Sequence, residues 1–167
     1  MKVVLDTNIF ISGIFWKGVS NKVILNWKEG KFTLVTSLEA ISEIIKVLND
    51  FKIKLPDDMI KEWVDLIVRN SIIVEPKEKI AIVKDDPKDN IFIETAVAGN
   101  VDYIVSQDNH LLKLKEFRGI KIITTEKFNM SEIYHQSMID GRKSNIVAQD
   151  GIFPSMLKNH PSKMSGF

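Results

Sequence analysis

Apolar runs and helical periods alternate along most of this chain, and the first of them sets the pattern. Val3, Val4 and Leu5 are apolar without polar alternation, and the run stops on Asp6, Thr7 and Asn8. Such a run predicts a strand buried on both faces, at the centre of a parallel sheet. Asp6 is thereby delivered to a strand's carboxyl end, the edge where open α/β sheets bind ligands. Ile9 to Phe15 is mostly apolar and leads to the turn-like Trp16, Lys17 and Gly18. Ser20 reads as the cap of a helix to about Glu29, with Val23, Ile24 and Trp27 on one face. Gly30 ends it, and Lys31 to Thr36 forms a second strand.

Ser37 then caps a helix whose Leu38, Ile41, Ile44, Ile45 and Leu48 recur at helical spacing, with Glu43 beside the stripe. After a loop, Asn49 to Pro56, a helix from Asp57 to Arg69 turns Met59, Ile60, Trp63, Leu66 and Ile67 inward. Ser71 to Glu75 is a third strand. Pro76 to Lys88 is a charged loop, with Ile80 to Val83 a candidate short edge strand. Asp89 opens a helix that closes at Gly99, a residue suited to a left-handed cap. Asp102 to Ser106 is a fourth strand, Leu111 to Lys115 a short helix, Lys121 to Ile123 a fifth strand, and Thr125 starts a helix to about Met138. Strands alternating with helices in this way predict an α/β fold: a three-layer α/β/α sandwich on a central, mainly parallel five-stranded sheet. The domain spans residues 1–138, and residues 139–167, without a sustained period, form a tail outside the core.

Composition narrows the chemistry. With 167 residues, 44% hydrophobic and 27% charged, the chain suits one soluble domain with a proper core. It has no cysteine, which excludes disulfides, thiolate catalysis and Cys-type zinc sites. Nothing approaches the length of a membrane span, and the chain opens on strand sequence rather than a signal peptide, so a cytoplasmic location is expected. A net charge of +1 gives no global pull toward nucleic acid.

Placed on this skeleton, Asp6 follows strand one, Asp89 sits at a helix N-terminus entering from the same edge, and Asp108 follows strand four. Glu43, about two turns into its helix, leans toward that edge. Each has a local reading as well, Asp6 and Asp89 as helix caps, Asp108 as a turn residue and Glu43 as a solvated one. Two carboxylates about 4 Å apart repel by roughly 4 kcal/mol at an effective dielectric near 20, so such a group calls for a cation. Oxygen-only ligands favour Mg²⁺ or Mn²⁺ over zinc, ions suited to phosphodiester hydrolysis. His110, His135 and His160 share no spacing and are assigned to the surface or to local hydrogen bonds.

The pieces VVLDTNIFISG, TSLEAISEIIKVL, DDPKDNIFIETAVAGNVDYIVSQDNHLL and KIIT resemble the PIN-domain ribonucleases, and more closely the PIN-family toxins of toxin–antitoxin systems. The resemblance covers Lys2 to about Glu126. It implies an acidic quartet of Asp6, Glu43, Asp89 and Asp108 that binds Mg²⁺ or Mn²⁺, with Asn8, Asn90 and Ser106 as polar supports. Asp86 competes with Asp89 for its place, and His110 stands where many members have a further Asp. The resemblance further implies endonucleolytic cleavage of RNA leaving a 5′-phosphate, an antitoxin partner and a homodimer. Lys113, Lys115 and Arg118, or Lys84 and Lys88, are candidates for a basic rim. A PIN-like scaffold that binds RNA or protein with little nuclease activity is the rival reading. Aspartyl-phosphate chemistry fits less well, because position 8 is Asn; nucleotide-binding glycine motifs are absent.

Overall fold

The computed structural model describes residues 1–130. Parallel strands β1 (Lys2–Leu5), β2 (Thr33–Ser37), β3 (Ser71–Val74), β4 (Tyr103–Val105) and β6 (Ile120–Ile123) occupy the five predicted places. A sixth strand, β5 (Glu116–Phe117), pairs antiparallel with β6, so the sheet order is β3-β2-β1-β4-β6-β5. This two-residue strand corrects the expected five; a segment so short carries no legible period, and only its hairpin partner defines it. Both turn residues of that hairpin are left-handed, Arg118 at φ 50 and Gly119 at φ +83, the second a conformation glycine adopts freely.

β1 lies at the centre, and both of its faces are covered. Val3 and Leu5 join a core with α1 (Thr7–Phe15), α2 (Val19–Lys28), α3 (Leu38–Asp50), α4 (Asp57–Asn70) and α7 (Thr125–Phe128). Val4, between them, points into a second core with α5 (Asn90–Gly99) and α6 (Asn109–Leu112). The chain is thus the expected three-layer sandwich, and the absence of polar alternation in VVL is explained by helices on both sides. Trp27 and Trp63 are fully buried in the first core, each worth a few kcal/mol of apolar burial. No helix among the described residues is long and apolar enough to cross a membrane.

Several boundaries differ from expectation for local reasons. α1 is a helix with Ile9, Phe10, Ile11 and Ile14 all buried, and its nearly continuous apolar run masked the helical period. Gly18, rather than Ser20, precedes α2, and Ser20 is buried in its first turn. Ser37 caps α3 as predicted, accepting from the Ala40 N–H at 3.2 Å. The left-handed cap of α5 is Asn100 (φ 46), not Gly99. Gly99 is needed instead for close approach, since a Cβ there would lie 2.5 Å from Val35 Cγ1. α6 starts and stops earlier than the predicted Leu111 to Lys115. Ile80 to Val83 is not a strand: Ile80 and Val83 are core residues of an irregular loop. α7 ends at Phe128, capped at Asn129, and does not run on toward Met138 through residues 129–130 as expected; residues 131–138 and the tail at 139–167 lie outside the described residues.

Candidate functional site

The strands diverge in order on either side of β1, toward β2 on one flank and β4 on the other. Crossovers leaving in opposite directions make the carboxyl ends of β1 and β4 the switch point, the place where such sheets take ligands. Asp6 sits there because its backbone N–H donates to the Val105 carbonyl at 3.2 Å, extending the ladder by one residue. Its Oδ1 accepts from the Ile9 N–H at 2.9 Å, capping α1. Its Oδ2 accepts from the Ser106 hydroxyl and, at 3.3 Å, from the Gln107 N–H. Capping and site membership are therefore compatible: one oxygen starts the helix while the other faces the loop after β4.

Ser106 joins two acids. Fully buried, its hydroxyl donates to Asp6 and accepts from the Asp108 N–H at 2.8 Å. Asp108 in turn accepts from the His110 N–H at 2.6 Å and caps α6. Ser106 is held by the sheet itself, its N–H donating to the Ile123 carbonyl at 3.0 Å.

Asp89 arrives from the other layer. Asp86, not Asp89, caps the turn Pro87–Asp89 that precedes α5, accepting from the Lys88 N–H at 3.3 Å. Asp89 makes no side-chain cap bond, and its Oδ2 is buried with no hydrogen-bond partner. A buried carboxylate oxygen without a donor is costly unless something positive reaches it. Burial first, then the charges of Asp108, Asp86 and Asp6, push the Asp89 carboxyl from 3.8 up to about 7, with His110 opposing. Asp6 is pushed up to about 6, chiefly by burial, against the hydrogen bonds of Ser106, Ile9 and Gln107. Asp6, Asp89 and Asp108 thus share one electrostatic environment, with Asp86 at its margin.

The remaining predicted residues fall in three situations. Glu43 is half-buried on α3 and takes part in none of the described hydrogen bonds, ion pairs or charge couplings of the aspartates. Asn8 is exposed in the first turn of α1. Asn90 is buried, but its amide serves the loop rather than the switch point: Oδ1 accepts from the Ile82 and Val83 N–H groups at 3.0 and 2.9 Å, and Nδ2 donates to the Val83 and Pro87 carbonyls. Of the basic residues, Arg118 is taken up by a two-pronged pair with Glu78 at 2.7 Å, and Lys113 lies 3.8 Å from Asp85. The His110 ring, 3.6 Å from Asp85, stands at the edge of the acidic group.

Periodicity did not reveal the polar residues that shape this edge. Glu94, one turn after Asn90 and equally buried, accepts from the Ile80 N–H and from Lys79 Nζ, both at 3.0 Å. Asn90 and Glu94 together lace residues 79–87 onto α5 and hold Asp86 and Asp89 at its entrance. The Thr95 and Ser37 hydroxyls, 2.9 Å apart, tie α5 to the cap of α3. Gln107 bridges toward Thr125 and Glu126. The available signal was polar side chains within an otherwise apolar helix, NIFIETAVAG, which calls for buried partners.

Buried Asp6 with part-buried Asp89 and Asp108, at the carboxyl edge of a parallel sheet covered on both faces, places the chain among α/β proteins with an acidic switch point. Among these, the PIN domain family matches residues 2–110, and the chain belongs to that family. Among the solved structures with this fold are two toxin–antitoxin complexes. One is VapBC2 from Rickettsia felis bound to a DNA fragment from their promoter: TM-score 0.51 and 16% identity, over 74% of this chain and 98% of that chain. The other is VapBC-1 from nontypeable Haemophilus influenzae: TM-score 0.52 and 15% identity, over 75% of this chain and 99% of that chain. At such identity the likeness concerns the fold alone. No curated protein sequence matches the chain.

Proposed function

We propose that this protein is a metal-dependent endoribonuclease acting as the toxin of a toxin–antitoxin pair. The observation that carries the reading is the orphaned Oδ2 of Asp89 beside Asp6 and Asp108. Three acidic side chains from separate elements, two with carboxyls pushed up to about 6 and about 7, are mutually costly as anions. A hard divalent ion relieves that cost, and an all-oxygen donor set suits Mg²⁺ or Mn²⁺. Among the described residues no three acidic or histidine side chains converge closely enough to clasp an ion directly. That fits an ion held through one or two carboxylates and water, as Mg²⁺ commonly is.

In this reading one or two of Asp6, Asp89 and Asp108 would hold the ion directly, and the others, with Glu43, would bear on it through water. Bound there, Mg²⁺ or Mn²⁺ would offset the charge of a phosphodiester and make a water nucleophilic near neutral pH. Ser106 keeps Asp6 oriented and fixes the backbone of Asp108, and Asn90 with Glu94 holds Asp89 at the mouth of α5. The VapBC complexes that share the fold support an antitoxin partner; a homodimer and a cytoplasmic setting belong to the same proposal.

The test is cleavage of end-labelled RNA by purified protein with Mn²⁺ or Mg²⁺, beside EDTA and an Asp6→Asn variant prepared identically. Metal-dependent cuts should fall by more than about a hundredfold in the variant, beyond what loss of a supporting residue costs. Equal cutting by both proteins would mark a contaminant, and RNA binding without cutting would favour the scaffold.

A further inference from the structure

The loop after β4 carries Asp108 and grips Asp6, and two of its three residues have plain supports. Ser106 is fixed by the sheet, and Asp108 by its turn into α6. Gln107, between them, is anchored in another way. Its backbone N–H donates to Asp6 Oδ2 at 3.3 Å, while its side chain reaches α7. There Nε2 donates to the Thr125 hydroxyl and to both carboxylate oxygens of Glu126, each of these at 3.2 Å. One residue thus touches the candidate site with its main chain and a separate element with its side chain.

The far end of this tie is firmly seated. Thr125 is fully buried, and three residues on, Phe128 sets α7 into the first core. Glu126 is exposed, yet its carboxyl lies below the usual carboxylate range, held there first by its own backbone N–H and further by the Gln107 amide and the Thr124 and Thr125 hydroxyls. An ionised carboxylate accepts only from the NH₂ end of an amide, so the Gln107 side chain has one orientation.

The route of the tie gives it a role. Gln107 follows β4 and Thr125 follows β6, its neighbour in the sheet, while β1 with Asp6 lies on the other side of β4. Asp6 Oδ2 has two donors, the Ser106 hydroxyl and the Gln107 N–H, and the second depends on how one loop peptide is turned. A peptide that swings loses this bond, and a buried carboxylate short of a donor is costly.

We infer that Gln107 is a positioning residue: clamped on Thr125 and Glu126, it keeps its own N–H on Asp6 and so presents Asp6 and Asp108 in one fixed relation. The inference rests on these aspartates being the metal-binding acids of the proposed nuclease. It gives α7, which contributes none of them, a part in the site.

Amide exchange of the full chain in EDTA reads the tie without metal or RNA. The N–H at position 107 should be protected in the wild type. It should exchange about fivefold faster in Glu126→Ala and in Gln107→Met, which keeps the side chain's length without a donor, while the amides of β1 keep their rates. Mn²⁺ titration, followed by melting temperature, reads the consequence. Each variant should bind Mn²⁺ about fivefold more weakly, and Gln107→Met combined with Glu126→Ala no more weakly than either alone, because both changes cut one link. A wild-type amide at position 107 that exchanges as in a free peptide overturns the inference, as does an additive loss in the double variant. A lower melting temperature in EDTA with unchanged Mn²⁺ affinity overturns it too, since that marks a merely structural contact. Metal-dependent RNA cutting at wild-type kcat in both variants sinks the positioning role and leaves the nuclease standing. A wild type that binds no Mn²⁺ while exchange at position 107 responds as expected sinks the metal site and leaves the tie standing.

Discussion

Asp89 shows how one side chain carries both a stability cost and a candidate role. Its carboxyl is pushed from 3.8 up to about 7, so between these values the folded protein keeps a proton that the unfolded chain has lost. The group's contribution to stability is therefore full below about pH 4 and is lost as pH rises through about 7. Asn cannot ionise, so in EDTA an Asp89→Asn variant should melt above the wild type at about pH 8, with the advantage shrinking by more than half at about pH 5 and gone near pH 4. After allowance for solvent screening of a group that is only half-buried, the gain is about 1–2 kcal/mol. Parallel melting curves across this pH range would refute the electrostatic account. Asp6 acts in the same direction through about pH 6 and remains in the variant. At this scale the sequence was informative about residue type and position. It did not separate capping from site membership, because the two coincide at Asp6 and Asp108 and part only at Asp89, whose cap is taken over by Asp86.

Between elements, close packing decides what periodicity cannot. α1 and α2 meet at Gly13, where a Cβ would lie 2.5 Å from Ile24 Cγ1 and 3.1 Å from the Ser20 carbonyl oxygen. The Ile24 side chain is buried and the carbonyl is backbone, so neither yields easily. Gly13→Ala should therefore destabilise the protein by about 1–3 kcal/mol despite Ala's better helix propensity. Gly18→Ala, with open space around the new Cβ, should stay within about 0.5 kcal/mol. Chemical denaturation of both variants distinguishes packing from propensity: equal midpoints would mean that α1 and α2 do not press together at Gly13. The five main strands and the amphipathic helices α3 and α4 were legible because their apolar residues follow a clear pattern. α1 and β5 were not, the one apolar on nearly every side and the other too short.

For the whole molecule, the candidate site is a property of the folded chain alone. Asp6, Asp89 and Asp108 come from the end of β1, the entrance of α5 and the loop after β4, and only the sheet order brings β1 and β4 side by side. An ion that binds them binds no equivalent group in the unfolded chain, so it must raise the melting temperature. At a hundredfold excess over its dissociation constant, Mn²⁺ should add about 2.7 kcal/mol, or about 5–10 °C. Asp89→Asn should lose most of that shift, and a wild type indifferent to Mn²⁺ would favour the scaffold reading.

The sequence by itself determined the layers, the central strand and the edge to which the acids are delivered, because hydrophobic period is a local quantity and each strand carries its own. Tertiary structure alone decided which acids meet and which do not. It brought Asp6, Asp89 and Asp108 into one field, turned Asn90 to the loop and placed Trp16 outside a core that took in the other two tryptophans. Such choices depend on distances between segments remote along the chain, and on burial that no single segment controls.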